Sequence, residues 1–572
     1  MRKIMIGFLC YIFFFFNISL WGQTKIATSA DYGALAESSM DKMIADSFGN
    51  YYVTYKVKTG GAYQMYVYTS VDSGEHWYPV GYGPVYSFPH DQRYGSLAID
   101  KKGKIYAVWT GCDYTYTNRY LDPSDGQYKY GEYQVKFSSY ENGRWSQWKN
   151  IAPVSGYAQW VATPPASIPA GVEHKYWQEN PAIAVDSHGY IYVVWTGEDS
   201  QFEGSQIKFT KSLDSGKTWS QWKNLTSVTS GGTNFNQYRP NILIDKNDTI
   251  FIIWDGENKN QFSSGKPYSQ VFCVTSSDLG KTWSMPEQIT TYNKTQRFVA
   301  SCYDPNTDKI HIVWSGRSSS DTTETKAQIQ YGYYDGTWHV EAGFVGHTPG
   351  WEQKNPSITL SQSGRLYVMW SGNDDDHPYF DEGDPDTADD KTGHYIMMAS
   401  KIPTGTWSTY KILDKGLYPH LLKSRFGTSL SWVYTRPDGW DDFALYFDKD
   451  TNITLLQDWV SSVQLTNIKS RIFAVPNLFC PQENTIMIKY IIGNRVSVKI
   501  SVYNIAGERV AVLVNGIREA GDHQFYWDGG TGEFSALDNE QIGSSLKLSQ
   551  GVFLLYMTIN NHVEVKKIFI RN

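Results

Sequence analysis

The segment 180-NPAIAVDSHGYIYVVW-195 is the clearest copy of a repeat that decides the fold of this chain. Two short apolar runs, at 182–185 and 191–195, flank a turn that contains Asp186 and Gly189. Short runs rich in β-branched and aromatic residues around such a turn are typical of two antiparallel strands. Related copies cover residues 94–109, 240–254, 298–314 and 356–370, and weaker ones cover 43–55 and 419–434.

Seven copies of this hairpin predict an all-β fold, a β-propeller in which each copy supplies the two inner strands of a blade. The count therefore predicts seven blades. No complete pair of outer strands follows the last copy, so we expect residues 26–35 to close the ring by pairing into the last blade.

A second motif, Ser-x-Asp-x-Gly-x-x-Trp, lies between the copies. It is intact at 70–77, 212–219 and 276–283, and shortened versions end at Trp145, Trp338 and Trp407. In such a turn the Asp accepts backbone N–H bonds, the Gly adopts a positive φ, and the Trp packs back on the sheet. The motif therefore indicates a structural turn and not a catalytic site.

With these motifs, residues of about 30–455 resemble the sialidase-like Asp-box (BNR-repeat) propellers. The resemblance implies four-stranded antiparallel blades around a central channel. Six blades, the usual number in sialidases, is the alternative to seven. We place the propeller at 23–460.

The pattern changes near residue 465, where the blade repeat stops. The segment 465–572 contains Pro-Asn-x-Phe at 476–479, Val-Tyr-Asn-x-x-Gly at 502–507, Gly-x-His-x-x-x-Trp-Asp-Gly at 521–529, Gly-Val-Phe at 551–553, and Lys566-Lys567. These pieces resemble the Ig-like C-terminal sorting domain of proteins exported by the type IX secretion system. The resemblance implies a small β-sandwich and the type IX secretion machinery as a partner. A plain accessory domain is the alternative, because the loop 531–548 is longer than the pattern.

The N-terminus resembles a signal peptide at 1–22, with Arg2 and Lys3 before an apolar run and Gly22 at the cleavage point. A membrane anchor is the alternative, and no transmembrane segment is expected in the mature chain. We expect a protein that is secreted or held at the outer cell surface after passing through the periplasm.

The net charge of -7, without a basic cluster, argues against a nucleic-acid partner. Cys273 and Cys302 are either a disulfide or buried free thiols.

Topology restricts where ligands bind, because each innermost strand starts where the second strand ends. We call this end of the sheets the rim, and we expect the Ser-x-Asp-x-Gly-x-x-Trp motifs, here called the Asp boxes, at the opposite end. Residues before the inner strands are Gln92-Arg93, Gln178-Glu179-Asn180, Gln237-Tyr238-Arg239, Gln296-Arg297 and Gln353-Lys354-Asn355. Residues after the second strands are Asp113, Glu198-Asp199, Asp255, Glu257, Arg317 and 374–376.

An enzyme of the sialidase kind needs three arginines that clamp a substrate carboxylate, and Arg93, Arg239 and Arg297 are the candidates. Gln237 and Lys354 are further candidates for substrate binding. A tyrosine nucleophile paired with a glutamate, and an acid-base aspartate, are also required. The candidates for these roles are Tyr238 or Tyr176, Glu198 or Glu257, and Asp113. The Phe-Arg-Ile-Pro motif that marks the first sialidase arginine is missing, and any of these polar side chains could instead satisfy loop carbonyls.

The sequence predicts no cofactor, although the acidic segment 373–390 is rich enough in oxygen ligands to consider Ca²⁺. A solvated loop is the alternative. The favoured function is binding of a glycan or a surface protein through the rim. The alternatives are a glycan-cleaving enzyme, either an exo-sialidase or a polysaccharide lyase, and a structural adhesin or envelope component.

Overall fold

A computed structural model describes most of the chain. The described residues are 23–30, 33–37, 39–59, 62–82, 85, 91–113, 119–121, 128–130, 133–141, 143–151, 177–199, 201–230, 233–263, 266–317, 325–380, 393–403, 405–423, 429–438, 443–455, 471–475, 478–479, 481, 485–492, 495–519, 521–559 and 562–571.

The described chain is all-β, as predicted, with one 3-10 turn at Val80–Tyr82. The strands up to residue 454 are β1 (Thr24–Ala30), β2 (Met43–Ala45), β3 (Tyr51–Thr59), β4 (Ala62–Ser70), β5 (Tyr78–Pro79), β6 (Gln92–Ile99), β7 (Ile105–Gly111), β8 (Arg119–Leu121), β9 (Tyr128–Tyr130), β10 (Gln134–Glu141), β11 (Arg144–Trp145), β12 (Lys149–Asn150), β13 (Gln178–Val185), β14 (Ile191–Asp199), β15 (Phe202–Ser212), β16 (Lys223–Asn224), β17 (Thr229–Ser230), β18 (Thr233–Asn234), β19 (Gln237–Ile244), β20 (Ile250–Ser263), β21 (Lys266–Ser276), β22 (Glu287–Gln288), β23 (Gln296–Asp304), β24 (Lys309–Gly316), β25 (Gln328–Tyr334), β26 (Trp338–Val340), β27 (Gln353–Leu360), β28 (Leu366–Gly372), β29 (Tyr395–Lys401), β30 (Lys411–Lys415), β31 (Leu417–Leu421), β32 (Ser429–Pro437) and β33 (Phe443–Thr454).

The strands after residue 470 are β34 (Arg471–Val475), β35 (Leu478–Phe479), β36 (Ile486–Ile492), β37 (Val496–Asn504), β38 (Arg509–Arg518), β39 (Gly521–Trp527), β40 (Gly532–Glu533), β41 (Gln541–Ile542), β42 (Gly551–Ile559) and β43 (His562–Ile570). Among the residues described, no helix is long and apolar enough to span a membrane.

Consecutive strands form a series of antiparallel sheets. Four sheets have four strands in chain order: β13-β14-β15-β16, β19-β20-β21-β22, β23-β24-β25-β26 and β27-β28-β29-β30. A fifth follows the same plan, in the order β6-β7-β10-β11, with β12 also paired to β10. Each strong copy of the sequence repeat supplies the first two strands of one of these sheets, as predicted.

An eight-stranded sheet joins the two ends of this series. On one side are β31, β32, β33 and β1, and on the other are β2, β3, β4 and β5. The two sides are linked by a single residue pair, Ala30 with Val57. The N-terminal strand β1 pairs antiparallel with β33, which confirms that the start of the chain pairs into the last sheet.

The first strands of successive sheets pack against one another around a common cavity. Residues of β2, β6, β13, β19, β23 and β27 line this cavity together with Lys423. An ion pair of 2.7 Å between Lys423 Nζ and Asp41 Oδ1 connects the segment after β31 to the segment before β2. The cavity wall is mixed, because most first strands present Ile, Leu or Ala, whereas β23 presents Ser301, Cys302 and Tyr303.

The Asp boxes lie at the opposite end of the sheets from the rim, as predicted. In the sheet β13-β14-β15-β16, Ser212 is the first residue of an Asp box and lies opposite Ile191. At the rim end of the same strand pair, Gln206 lies opposite Gly197. Asp214 Oδ1 accepts bonds from Ser212 Oγ at 2.8 Å and from Thr218 N at 2.8 Å. Gly216 has a φ of 84°, and a Cβ there would meet Phe137 of the preceding sheet at 2.4 Å. The box therefore fixes both the local turn and the contact between neighbouring sheets.

Strands β34–β43 form two further sheets, in the orders β34-β36-β39-β41 and β35-β43-β42-β37-β38-β40. Both contribute to one hydrophobic cluster, which includes Ile488 and Phe525 from the first sheet and Val502 and Leu555 from the second. This cluster contains only residues from 472–570, so the segment has a core of its own.

Cys112, Cys273 and Cys302 are buried free thiols, which answers the disulfide question left open by the sequence. The remaining cysteine of the expected mature chain, Cys480, lies outside the described residues.

Candidate functional site

Five of the first strands start at the rim with the same three-residue backbone pattern, namely β6, β13, β19, β23 and β27. A buried Gln comes first, a side chain at the rim second, and a residue with positive φ third. The residues with positive φ in these positions, and in the related β31, are Tyr94, Asn180, Arg239, Phe298, Asn355 and Tyr418, with φ between 47° and 59°. A register shift follows each of them. Such conformations cost energy for non-glycine residues and cluster at functional sites, where a bulge redirects side chains.

The Gln of this pattern is structural in every sheet that contains it. Gln92, Gln178, Gln237, Gln296 and Gln353 are 0–1% exposed. Their Oε1 atoms accept the indole N–H of Trp109, Trp195, Trp254, Trp314 and Trp370 at 2.6–2.8 Å.

Gln237 was predicted to bind substrate, and the structure corrects this prediction. Its Nε2 donates to the carbonyls of Phe235, at 3.0 Å, and Glu257, at 2.9 Å, while its Oε1 accepts from Trp254. The buried amide thus has both hydrogens in use and holds the two strands together.

Arg93 lies at the centre of an aromatic surface on the rim. Its guanidinium carbon is 4.9 Å from the ring centroid of Tyr63 and 5.5 Å from that of Tyr133. Trp177, with 42% of its surface exposed, packs edge-on against Tyr133 at 5.9 Å between centroids. Asp91 forms an ion pair with Arg93 and also accepts the backbone N–H of Tyr63 at 2.9 Å. We call Tyr63, Arg93, Tyr133 and Trp177 the aromatic rim surface.

Two glutamates lie beside this surface. Burial, and then the charge of Glu37, raises the pKa of Glu179 to about 7, while Arg93 opposes the shift. Burial likewise raises the pKa of Glu37, against the charges of Arg239 and Lys42. Glu198, predicted as a catalytic partner, is partly buried and its charge also acts on Glu179. The charges of carboxyl groups from two separate parts of the chain, Glu37 and Glu198, thus both act on Glu179.

The second predicted arginine, Arg239, already forms an ion pair with a carboxylate of the same chain. The Nε of Arg239 donates to Asp255 Oδ1 at 3.0 Å and its Nη2 donates to Oδ2 at 2.5 Å. The carboxylate of Asp255 is fully buried and only 16% of the Arg239 side chain is exposed. A bidentate pair of this kind fixes the guanidinium, so Arg239 acts as a structural strut and not as a free clamp.

Arg297 is exposed and forms no ion pair with a described residue. Its charge acts on Asp255 and Glu257, so it lies near the Arg239 pair. The structure therefore brings Arg239 and Arg297 to one region of the rim, and Arg93 to a neighbouring one, but two of the three guanidinium groups already hold carboxylates.

The other two described candidates for catalysis, Glu257 and Tyr238, are both affected by their protein surroundings. The Oε2 of Glu257 accepts the N–H of Asn236 at 3.0 Å, and burial raises its pKa. Burial, and then the charge of Glu257, raises the pKa of Tyr238 to about 12. A phenol with so high a pKa is a poor nucleophile at neutral pH. Tyr176, the alternative nucleophile, lies outside the described residues.

The predicted acid-base role of Asp113 is also corrected. Asp113 is only 3% exposed, and it forms an ion pair with the buried Lys136. Asn150 Nδ2 donates to the same carboxylate at 2.9 Å. The next sheet repeats the arrangement with Asp199, Lys208 and Asn224. The buried Asp–Lys–Asn group is therefore a repeated structural feature of these sheets.

Lys354 and the acidic segment complete the predicted residues. Lys354 Nζ lies 3.8 Å from Glu352 Oε2. In the described part of the acidic segment, Asp374 accepts bonds from Tyr410 Oη at 2.9 Å and from the backbone of His377 at 2.7 Å. Residues 381–392 lie outside the described residues, and Ca²⁺ binding stays a hypothesis for this segment.

Sequence reasoning missed Glu37, Asp91 and the role of the aromatic rim surface. The position of Glu179 was predicted, since it follows Gln178 in the repeat, but its raised pKa was not. Glu37 precedes the first copy of the repeat, so no pattern in the sequence marks it.

No protein-family model and no curated protein matches this chain. Among solved structures, an ulvan lyase of polysaccharide lyase family PL25 is 12% identical, with a TM-score of 0.49 over 75% of this chain and 96% of that one. A Hadza microbial sialidase is 16% identical, with a TM-score of 0.38 over 63% of this chain and 66% of that one. An α-L-arabinanase from Penicillium chrysogenum is 10% identical, with a TM-score of 0.36 over 75% and 97%.

Proposed function

We propose that this chain is a secreted or outer-surface protein that binds a glycan at the rim. The aromatic rim surface is the observation that carries the proposal. Aromatic faces pack on the C–H side of sugar rings, and a guanidinium held between two rings donates planar hydrogen bonds to hydroxyl or carboxylate oxygens. Trp177 supplies the exposed face, with 42% of its surface open to solvent.

The scaffold of this site is, in our proposal, a seven-bladed propeller of the sialidase-like Asp-box kind. Five sheets of one plan, together with the two halves of the eight-stranded sheet, supply seven units. The single pair between Ala30 and Val57 favours counting those halves as separate blades. Closure by β1 in the last unit supports a ring.

Binding of a glycan array by the full chain tests the proposal. Trp177→Ala is expected to weaken binding of the retained glycan about tenfold, which corresponds to ~1.4 kcal/mol. Met285→Ala is the control, because Met285 is 85% exposed and follows an Asp box at the opposite end. Equal affinity of the Trp177→Ala variant would refute the site, and retention of only a surface protein would favour the protein-binding alternative.

We further propose that 465–572 is an Ig-like type IX sorting domain and that 1–22 is a cleaved signal peptide. The separate core of residues 472–570 supports an independent unit. Deleting residues from 465 onward is expected to leave a folded protein in the periplasm. Delivery of the truncated protein to the cell surface would exclude the sorting role.

A further inference from the structure

Two neighbouring sheets place a lysine directly opposite an asparagine on their outer strands. Lys136 of β10 lies opposite Asn150 of β12, and Lys208 of β15 lies opposite Asn224 of β16. The following sheet, β19-β20-β21-β22, has a phenylalanine and a glutamine at the matching positions. The lysine–asparagine pair is therefore a feature of two particular sheets and not a requirement of the sheet plan.

In the first of these sheets, one carboxylate oxygen contacts the nitrogen atoms of both partners. The Oδ2 of Asp113 accepts the ammonium of Lys136 and, at 2.9 Å, the amide Nδ2 of Asn150. The Nζ of Lys136 also donates to Asn150 Oδ1 at 2.9 Å. The amine thus lies against the amide carbonyl, and a proton acceptor touches both nitrogens.

The second sheet repeats this geometry. The Oδ2 of Asp199 accepts the ammonium of Lys208 and, at 2.7 Å, the Nδ2 of Asn224. The Nζ of Lys208 donates to Asn224 Oδ1 at 2.7 Å. The same three groups with the same three contacts therefore occur at two separate places in the chain.

Both lysines are shielded from water. Lys136 and Lys208 are 0% exposed, and their carboxylate partners are 3% exposed. Each Nζ lies over an indole ring, 4.4 Å from the centroid of Trp148 in the first sheet and 4.3 Å from that of Trp222 in the second. Burial lowers the pKa of both lysines, which favours the neutral amine, the nucleophilic form.

We propose that the lysine and the asparagine of each group condense to an amide cross-link once the sheets have folded, with the aspartate carrying the protons. In the first sheet, Asp113 takes a proton from Lys136, and the lone pair of Nζ bonds to Cγ of Asn150 as the carbonyl electron pair moves to Oδ1. Asp113 then gives the proton to Nδ2, the Cγ–Nδ2 bond breaks, and ammonia leaves as the carbonyl re-forms. Asp113 finally takes a second proton from Nζ. One ammonium, one carboxylate and one primary amide become one secondary amide, one ammonia and one neutral carboxyl.

Such cross-links would fasten the weakest strands of these sheets. The strands β12 and β16 are only two residues long. The joined side chains are 14 and 16 positions apart, so each bond closes a short loop and restricts the unfolded chain as a disulfide does. This activity needs no cofactor and does not depend on the proposed glycan binding.

Mass spectrometry of the full denatured chain tests the inference, because each cross-link removes one ammonia, about 17 Da. After correction for the substitutions, the wild type is expected to be about 34 Da lighter than the double variant Lys136→Met/Lys208→Met. Each single lysine variant is expected to lie midway between them. Trypsin is expected not to cleave after Lys136 and to release a branched peptide that joins 130–144 to a peptide starting at Asn150.

Two further variants sharpen the test. Asp113→Asn is expected to abolish only the first cross-link, because it removes the proton carrier and leaves the amine and the amide in place. Lys211→Met is the control and is expected to keep both cross-links, since Lys211 Nζ donates to a backbone carbonyl, that of Leu279, at 2.5 Å.

The comparison is made with the double variant because an N-terminal glutamine and Asn-Gly pairs also lose ammonia, and those losses would be shared. Equal corrected masses of the wild type and the double variant overturn the inference, and so does complete tryptic cleavage after Lys136 and Lys208. The wild-type peptides decide the question even if a variant does not fold.

Discussion

Replacing Gln237 with methionine tests whether the buried Gln–Trp pair holds a sheet together. Methionine has a similar shape, so the change removes the hydrogen bonds without creating a large cavity. The indole N–H of Trp254 loses its acceptor at 2.7 Å, and the carbonyl of Glu257 loses a donor at 2.9 Å. The carbonyl of Phe235 keeps a second donor, Gln206 Nε2 at 3.3 Å.

One buried donor and one buried acceptor are thus left unsatisfied, at about 1–3 kcal/mol for each group. We expect Gln237→Met to lower the free energy of unfolding by ~3 kcal/mol. Guanidinium denaturation followed by tryptophan fluorescence is a suitable assay, since Trp527 is the only tryptophan after residue 465 and the signal reports on the preceding sheets.

Gln353→Met repeats the experiment in another sheet, where Trp370 donates to Gln353 at 2.6 Å. Gln362→Met, at an exposed turn, is the control. If both buried variants unfold within 0.5 kcal/mol of the control, a bound far smaller than the expected cost, the pair contributes nothing to stability. A loss of glycan affinity without loss of stability would restore Gln237 as a ligand-binding residue.

Arg239→Ala is expected to cost about 3–5 kcal/mol of unfolding free energy, because it leaves the carboxylate of Asp255 buried and unpaired; denaturation measures this, and an unchanged stability would return Arg239 to the role of a free clamp. Asp113→Asn is expected to lower the free energy of unfolding by ~3 kcal/mol by removing the partner of buried Lys136, and a loss of glycan binding at wild-type stability would contradict this assignment. Hydrogen bonds from Thr218 lower the pKa of Asp214 to about 2, below its ordinary 3.8, so its stabilisation is present above about pH 4 and is lost as the pH falls toward 2. The melting temperature of the Asp214→Asn variant should therefore fall less steeply than that of wild type over this range, and identical slopes would show that the box carboxylate is not linked to folding.

Much of the fold was predictable because its determinants are local. A strand–turn–strand hairpin is determined by the apolar runs and the turn residues of about 16 consecutive positions, such as 180–195. The Asp boxes are equally local, since Ser212, Asp214 and Thr218 bond within one turn. Antiparallel pairing then places the rim and the boxes at opposite ends without any further information.

The chemistry of the rim was predictable only in part. The repeat located Arg93, Glu179, Tyr238 and Arg297 at the rim, but it could not show which polar groups were already paired. The partner of Gln237 is Trp254, 17 positions away. The sequence pattern around Gln237 does not distinguish a buried structural amide from an amide that binds a ligand. Desolvation and pairing depend on the packed surroundings of a group, which sequence spacing does not encode.

By itself, the sequence determined the all-β hairpin repeats, the turns that end them, and the end of the sheets where charged side chains gather. Only the tertiary structure decided that Arg239 forms an ion pair with Asp255, that Asp113 forms one with Lys136, and that the charge of Glu37 acts on Glu179. The physical reason is distance along the chain. The carbonyl oxygen of Ser39 accepts a hydrogen bond from Asn241 Nδ2 across 202 positions, and this contact helps to hold the segment that contains Glu37. Such contacts arise only when the sheets close on one another, and no local pattern records them.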